Sequence, residues 1–216
     1  MKLPIQRIIS FTISATVAGT VLAALPPPET PFKDHNWKAV SNSKPSTGLK
    51  MGSFSVQFEK TTLAMVRKAA GRGEIAHQGD AGASIYWLCY TVHSKKQTER
   101  IWIVAHGEMG GSEHAVTRIS SETVETNENE EDCPALPKTL SPVSFDNGLW
   151  LGAQKDRALK ILGRPSHQKD SWRVFDYASK VPGNCEPDGF DIFNWFEFEI
   201  RNGHLDKIHA GQVTSC

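Results

Sequence analysis

The stretch Phe145–Pro165, FDNGLWLGAQKDRALKILGRP, constrains the fold more than any other part of the chain. It joins an Asn-Gly turn and a hydrophobic Leu-Trp-Leu to a short amphipathic segment that ends in Gly-x-Pro. Ala158, Ile161 and Leu162 fall at helical spacing and predict one apolar helix face. Gly163 stops the helix because glycine accepts the left-handed conformation there, and Pro165, which has no amide hydrogen, cannot resume it. The start is poorly marked: no Ser, Thr, Asp or Asn directly precedes Ala153, leaving Gly152 as a mediocre N-cap.

The other end of the chain bears on compartment. Lys2 and Arg7 precede an uncharged run, Ile8–Leu25, and Val21-Leu22-Ala23 offers small residues at the positions a signal peptidase needs. Residues 1–23 therefore read as a signal peptide, and the mature chain is expected in the periplasm or outside the cell, without stable membrane insertion after cleavage. Removing Lys2 and Arg7 from 24 basic residues leaves 22 against 24 acidic ones, a net charge of −2. Nucleic-acid binding needs a clustered basic excess, so no nucleic-acid partner is expected. Cys89, Cys133, Cys185 and Cys216 form an even set for an oxidising compartment, with no Cys-x-x-Cys spacing to suggest a zinc ribbon or a redox centre. The pairs Cys89–Cys133 and Cys185–Cys216 each close within one half of the chain and are the expected disulfides.

Residues 24–50 carry five prolines among polar residues and read as a disordered leader. Thr61 or Thr62 then caps a short helix with Leu63, Val66 and Ala70 on its apolar face and Gly71 as its stop. Ser84–Val92, Arg100–Val104 and Ala115–Ile119 read as three strands. Residues 122–144 form an acidic linker, whose part from 122 to 132 holds six acids and no base. The second half then echoes the first. A shift of 92 residues sets Gly71 on Gly163, Ala70 on Leu162, Val66 on Ala158 and Phe58 on Trp150. Strands are expected at 172–177, 193–200 and 205–213, the last two joined by the two-residue turn Asn202-Gly203. The resulting expectation is an α+β fold of two tandem repeats, 51–121 and 145–216, each a short helical element packed on an antiparallel meander.

Gly148-x-x-Leu151-Gly152, Ile161-Leu162-Gly163-x-Pro165, a Tyr-bearing strand and a Phe-rich strand ending at Asn202-Gly203 resemble the BamE-like and β-lactamase-inhibitory-protein-like superfamily. The resemblance covers roughly 145–210 and is faint over 54–120. It implies a small exported protein with helices packed on one face of an antiparallel sheet. The pattern departs from the family in lacking the lipidation cysteine of the envelope-assembly lipoproteins and in having Ala153 where a Ser or Thr cap is usual.

Three groups of residues invite a chemical reading. His106-Gly-Glu-Met-Gly-Gly resembles the oxyanion loop of esterases, but no Gly-x-Ser-x-Gly nucleophile elbow accompanies it, so a hydrolase is the least favoured reading. His106, Glu108 and His114 lack the spacing of a metal site, and no metal or other cofactor is expected. Glu197 and Glu199 alternate onto one strand face, where two acids on a wet surface suffice as an explanation. On that strand Phe196, Phe198 and Ile200 face the core, which puts Trp195 on the opposite side beside the two acids. An open sheet face holding Trp195, Glu197 and Glu199, with Trp87 and Trp102 in the first half, is the expected binding surface. The expected function is a non-catalytic protein-binding module with a partner in the cell envelope. Its role would be that of an inhibitor or immunity-type protein or, alternatively, of an envelope-assembly or scaffold protein.

Overall fold

The computed structural model describes residues 24–32, 44–94, 97–107, 113–125, 132–185 and 189–216. In chain order these residues form β1 (Gly48–Met51), β2 (Phe54–Gln57), α1 (Leu63–Ala70), β3 (Ala76–Gln78), β4 (Ile85–His93), β5 (Thr98–His106), β6 (Arg118–Val124), β7 (Val143–Phe145), α2 (Lys155–Leu162), β8 (His167–Lys169), β9 (Trp172–Val181), β10 (Phe190–Arg201) and β11 (His204–Ser215). Eight strands make one antiparallel sheet in the order β3-β4-β5-β6-β11-β10-β9-β8, and a second sheet has the order β2-β1-β7.

The expectation of two helix-plus-meander repeats is corrected here. The described chain is mostly β, with two α-helices and two antiparallel sheets, and neither sheet belongs to one half. β6 pairs with β11 from Glu122↔Lys207 to Arg118↔Gly211, so a single sheet crosses the middle of the molecule. β7, from the second half, pairs with β1, from the first. The physical reason lies at strand edges. A strand left at the end of a separate meander exposes a row of unpaired amides and carbonyls, and joining β6 to β11 satisfies both rows.

Several local expectations hold. Thr62 caps α1, its hydroxyl accepting from the Met65 amide, and Gly71 ends the helix at φ 65°. Leu63, Val66 and Ala70 are its buried face. Asn202 and Gly203 both take positive φ, as a two-residue hairpin needs. α2 turns differently from its prediction. Gln154 is its N-cap, Ala158 is buried with Leu159 and Leu162 packed beside the core, and Ile161 is exposed.

One face of the large sheet holds the main core. Leu88, Tyr90, Ile101, Ile103, Phe175, Phe196, Phe198 and Ile208 pack there against α1, Ala158 of α2 and the small sheet. Trp87, Cys89, Trp102 and Val104 form a second cluster with Cys133 and Ala24. These four residues alternate with Leu88, Tyr90, Ile101 and Ile103 along β4 and β5, so they sit on the other face. The strands therefore carry apolar residues on both sides because both sides are covered.

Part of that cover comes from segments expected to be leader and linker. The Trp102 indole donates to the Leu25 carbonyl at 2.9 Å. Lys44 donates to Gln212, Asn194 to the Ser46 carbonyl, and Ser46 to Asp146. Gly48–Met51, which overlaps the end of the expected leader, is the central strand of the small sheet, with Leu49 and Met51 in the core. On the linker side, β6 runs on to Val124, Cys133 is fully buried, and Leu136 donates to the Thr91 carbonyl at 2.7 Å along β4. Residues 126–131 of the linker, like residues 1–23, lie outside the described residues.

Both expected disulfides are present. Cys89–Cys133 spans 44 residues and Cys185–Cys216 spans 31, with Cα–Cα distances of 4.8 and 5.5 Å. Loops of these lengths restrict the unfolded chain enough that each bond should contribute about 3–4 kcal/mol. Urea unfolding with and without reductant measures this, and an unchanged midpoint after verified reduction would refute it.

Candidate functional site

A groove of about 1100 Å³ opens where the β4–β5 hairpin, β7, the start of α2 and the β10–β11 hairpin meet. Its residues are placed by short-range chemistry that begins at the Asn-Gly turn. The Asn147 side chain accepts from the Leu149 amide at 2.9 Å and donates to the Pro45 carbonyl at 2.8 Å. The Phe145 amide donates to the Leu149 carbonyl at 2.7 Å, which closes the turn after β7. Leu149 and Leu151 are buried, so the residue between them is turned outward, and Trp150 is 40% exposed. The Arg157 guanidinium lies 4.8 Å from the centre of the Trp150 ring, a cation–π arrangement that also holds both side chains in place.

The segment after Trp150 is pinned to the β10–β11 hairpin. Gly152 donates to the Leu205 carbonyl, Leu205 to that of Ala153, and Lys155 to that of Gly203. Gln97 crosses from the first half and donates to the Leu151 carbonyl at 3.1 Å. The groove wall is thus built from both halves of the chain. Glu99 is the one acid among the described lining residues, and burial pushes its carboxyl up to about 7 despite a hydrogen bond from Gln97. His93, with Nδ1 3.4 Å from the Thr98 hydroxyl, and His204, whose Nδ1 donates to the Asn202 carbonyl at 3.0 Å, stand around it. A smaller cleft of about 330 Å³ shares Gln97, Gly152 and His204 and continues to Arg201 and Asp206, which pair at 3.3 Å.

The residues expected to form a binding surface are placed elsewhere, and most are buried. Trp195 does point away from Phe196 and Phe198, but it is only 8% exposed. Trp87 is 3% exposed and Trp102 1%. Glu197, expected on a wet face, is fully buried, while Glu199 stays half-buried and pairs with Lys207 at 3.7 Å. This face is therefore buried and not an open surface, since Trp195, Trp87, Trp102 and Glu197 on it are all buried. Trp195 fits there through a missing side chain: its ring fills the space over Gly211, the residue paired with it on β11.

The same face buries a group of ionisable residues. The register sets Glu197 beside His209, with Arg118 one row away and Asp176 on the neighbouring strand. Burial pushes Glu197 up to about 8, the positive charge of Arg118 opposing the shift and the negative charge of Asp176 adding to it. Burial lowers His209 to about 3, helped by Arg118 and Lys207. Its Nδ1 lies 2.9 Å from the Ser120 hydroxyl, and Trp172 stacks on the ring at 5.6 Å. His106 falls to about 4, again mainly from burial, with its Nδ1 2.7 Å from the Thr117 hydroxyl. The His114 ring stacks on Tyr86, and Glu108 lies outside the described residues.

No protein-family model, curated protein or solved structure matches the chain. The two disulfides are the chemistry of an oxidising compartment and make this a non-cytoplasmic protein. Among the described residues no helix is long and apolar enough to cross a membrane.

Sequence reasoning passed over Trp150, Arg157 and Glu99. A signal for Trp150 was present in the Leu-Trp-Leu triplet beside a tight turn, where burying both leucines must expose the residue between them. Arg157, seven residues on and in the first turns of α2, comes back toward that ring. Nothing local marked Glu99, whose position in the groove depends on β7 and the α2 entry closing over the β4–β5 hairpin.

Proposed function

We propose that this is an exported, non-catalytic binding module that receives part of a partner protein in the groove beside Trp150, acting as an inhibitor or immunity-type protein toward an envelope-acting enzyme. The observation that carries the reading is an exposed Trp held by an Arg at the mouth of a groove of about 1100 Å³. Trp and Arg are the residue types that most often dominate interface energetics. A binding role is favoured over a reaction because the described lining residues hold one carboxylate, Glu99, and no second acid to share proton transfer with it. The chain's disulfides suit the periplasm or the extracellular space as the place of action.

The test uses residues 24–216 as bait against envelope extract, beside its Trp150→Ala variant. An exposed Trp can be truncated with little effect on folding, and its loss from an interface centre costs about 2 kcal/mol or more. The expected outcome is a partner that wild type retains and the variant loses, with equal melting temperatures for the two baits. Retention of the same partner by both would remove the groove from the function. Inhibition of the captured protein's activity supports the inhibitor role, and capture of an assembly complex without inhibition contradicts it.

A further inference from the structure

The outer edge of β7 points into the groove. The Gly52 amide donates to the Pro142 carbonyl at 3.0 Å, so Pro142 faces β1. Hydrogen-bonding direction alternates along an antiparallel strand, so Ser144, two residues on and paired with Lys50, also faces β1. Val143 and Phe145 must then direct their amides and carbonyls the other way. Phe145 confirms the alternation, since its amide reaches outward to Leu149. Val143 points the same way, and among the described residues no hydrogen bond is made on that side. On the opposite wall the Gly152 amide and the Ala153 carbonyl are bonded to Leu205 of β11 instead. Pro142, Val143 and Ser144 all line the groove, so an unpaired strand edge faces a cavity of peptide-binding size.

Charge narrows the choice of occupant. Among the described lining residues Arg157 is the permanent cation, and the His93 and His204 rings lie in the same lining. Arg201 follows in the adjoining cleft. Asp206 already matches Arg201 in that cleft, whereas in the groove Glu99 is the one acid among the described lining residues, and burial disfavours its ionised form. Because the Arg157 guanidinium lies over Trp150, it has donors along its rim to offer a carboxylate, while the indole gives an apolar wall to a neighbouring side chain.

Building on the binding-module reading, we propose that the groove takes an extended, acidic peptide segment of the partner, which pairs with Val143 as an added strand on β7 and sets a carboxylate against Arg157. Strand addition of this kind draws affinity from main-chain hydrogen bonds and specificity from alternate side chains.

Panning a displayed library of random heptapeptides against residues 24–216 tests this without knowing the partner. The expected winners are rich in Asp or Glu, and the best of them bound as a synthetic peptide should protect the Val143 amide from hydrogen exchange. Arg157→Gln should weaken that peptide about tenfold or more, the loss of a charge-assisted contact. Methylating the peptide's backbone nitrogens one at a time should weaken it about as much wherever the amide pairs with β7. Enrichment of neutral or basic peptides, no enrichment at all, or an unprotected Val143 would overturn the proposal. If a partner is still captured in a Trp150-dependent way, the strand-addition proposal fails alone; if that capture fails too, the groove reading falls with it.

Discussion

Trp195→Ala should melt far below the wild-type protein, with a loss of about 3–5 kcal/mol in unfolding free energy. Trp195 is 8% exposed, and its ring occupies the space that the absent side chain of Gly211 leaves on β11. Ala at 195 would leave a void bounded by two strand backbones held in register at Trp195↔Gly211 and Trp195↔Asp176. Paired backbones cannot collapse into such a space, so the cavity term persists with the lost contacts. Gly211→Ala should destabilise from the other side, since its new methyl group would meet the indole. Chemical denaturation of the purified variants measures both effects. A Trp195→Ala midpoint near wild type would mean that the ring is not packed as described, and would return it to the list of surface anchors.

Stability should form a plateau in pH, bounded by different groups on each side. Glu197 rises from an ordinary 4.5 to about 8, so above pH 4.5 the unfolded chain has released a proton that the folded protein still holds. Where the native state binds more protons, stability falls as pH rises. The Glu197 contribution is therefore complete below about pH 4.5 and is lost progressively up to about pH 8. Glu99, raised to about 7, acts in the same direction over a shorter range. The histidines act in the opposite direction. His209 and His106 fall from 6.5 to about 3 and about 4, so their neutral forms favour the fold above pH 6.5, and that advantage is lost as pH drops. Between pH 4.5 and 6.5 the two acids and the two histidines oppose each other, and the curve should be nearly flat. On the alkaline side nothing offsets Glu197, and its share should reach roughly 3–5 kcal/mol. Glu197→Gln keeps the shape and cannot ionise. It should match wild type near pH 5 and exceed it increasingly toward pH 8.5, as read by urea midpoints across pH. The charges acting on Glu197 are Arg118 on β6 and Asp176 on β9, with His209 of β11 neutral beside it, and Arg118 limits the effect by favouring the carboxylate. Parallel pH curves for the two proteins would show that Glu197 is ionised in the fold.

The 92-residue echo between the halves led to the expectation of two separate units because it is a local pattern that says nothing of how strands pair across the molecule. That pattern does encode local structure. The Thr62 cap, the Gly71 stop, the Asn202-Gly203 hairpin and the inward Phe196 and Phe198 all depend on residues within one or two turns of each other. Period-two alternation also put Trp195 correctly on the face opposite those phenylalanines. It could not say whether that face was wet, because alternation assigns sides and does not reveal what covers them.

What the sequence determined by itself was whatever short-range chemistry decides: helix ends, the tight turn, strand faces, and the two disulfides that each close within one half. Tertiary structure alone decided the rest. The join of β6 to β11 made one sheet from two halves, and β7 crossed over to pair with β1. The segments around Ala24 and Cys133 then covered the Trp87 and Trp102 part of the sheet's second face, and Trp195 and Glu197 on the same face are buried as well. The groove followed from the same long-range pairings, since Gln97, Val143, Trp150 and His204 meet only after both halves have closed on each other. The physical reason is common to all of these. Strand edges and apolar faces are satisfied by any complementary edge or face, so a sequence specifies that they must be covered, and only the assembled chain settles by which segment.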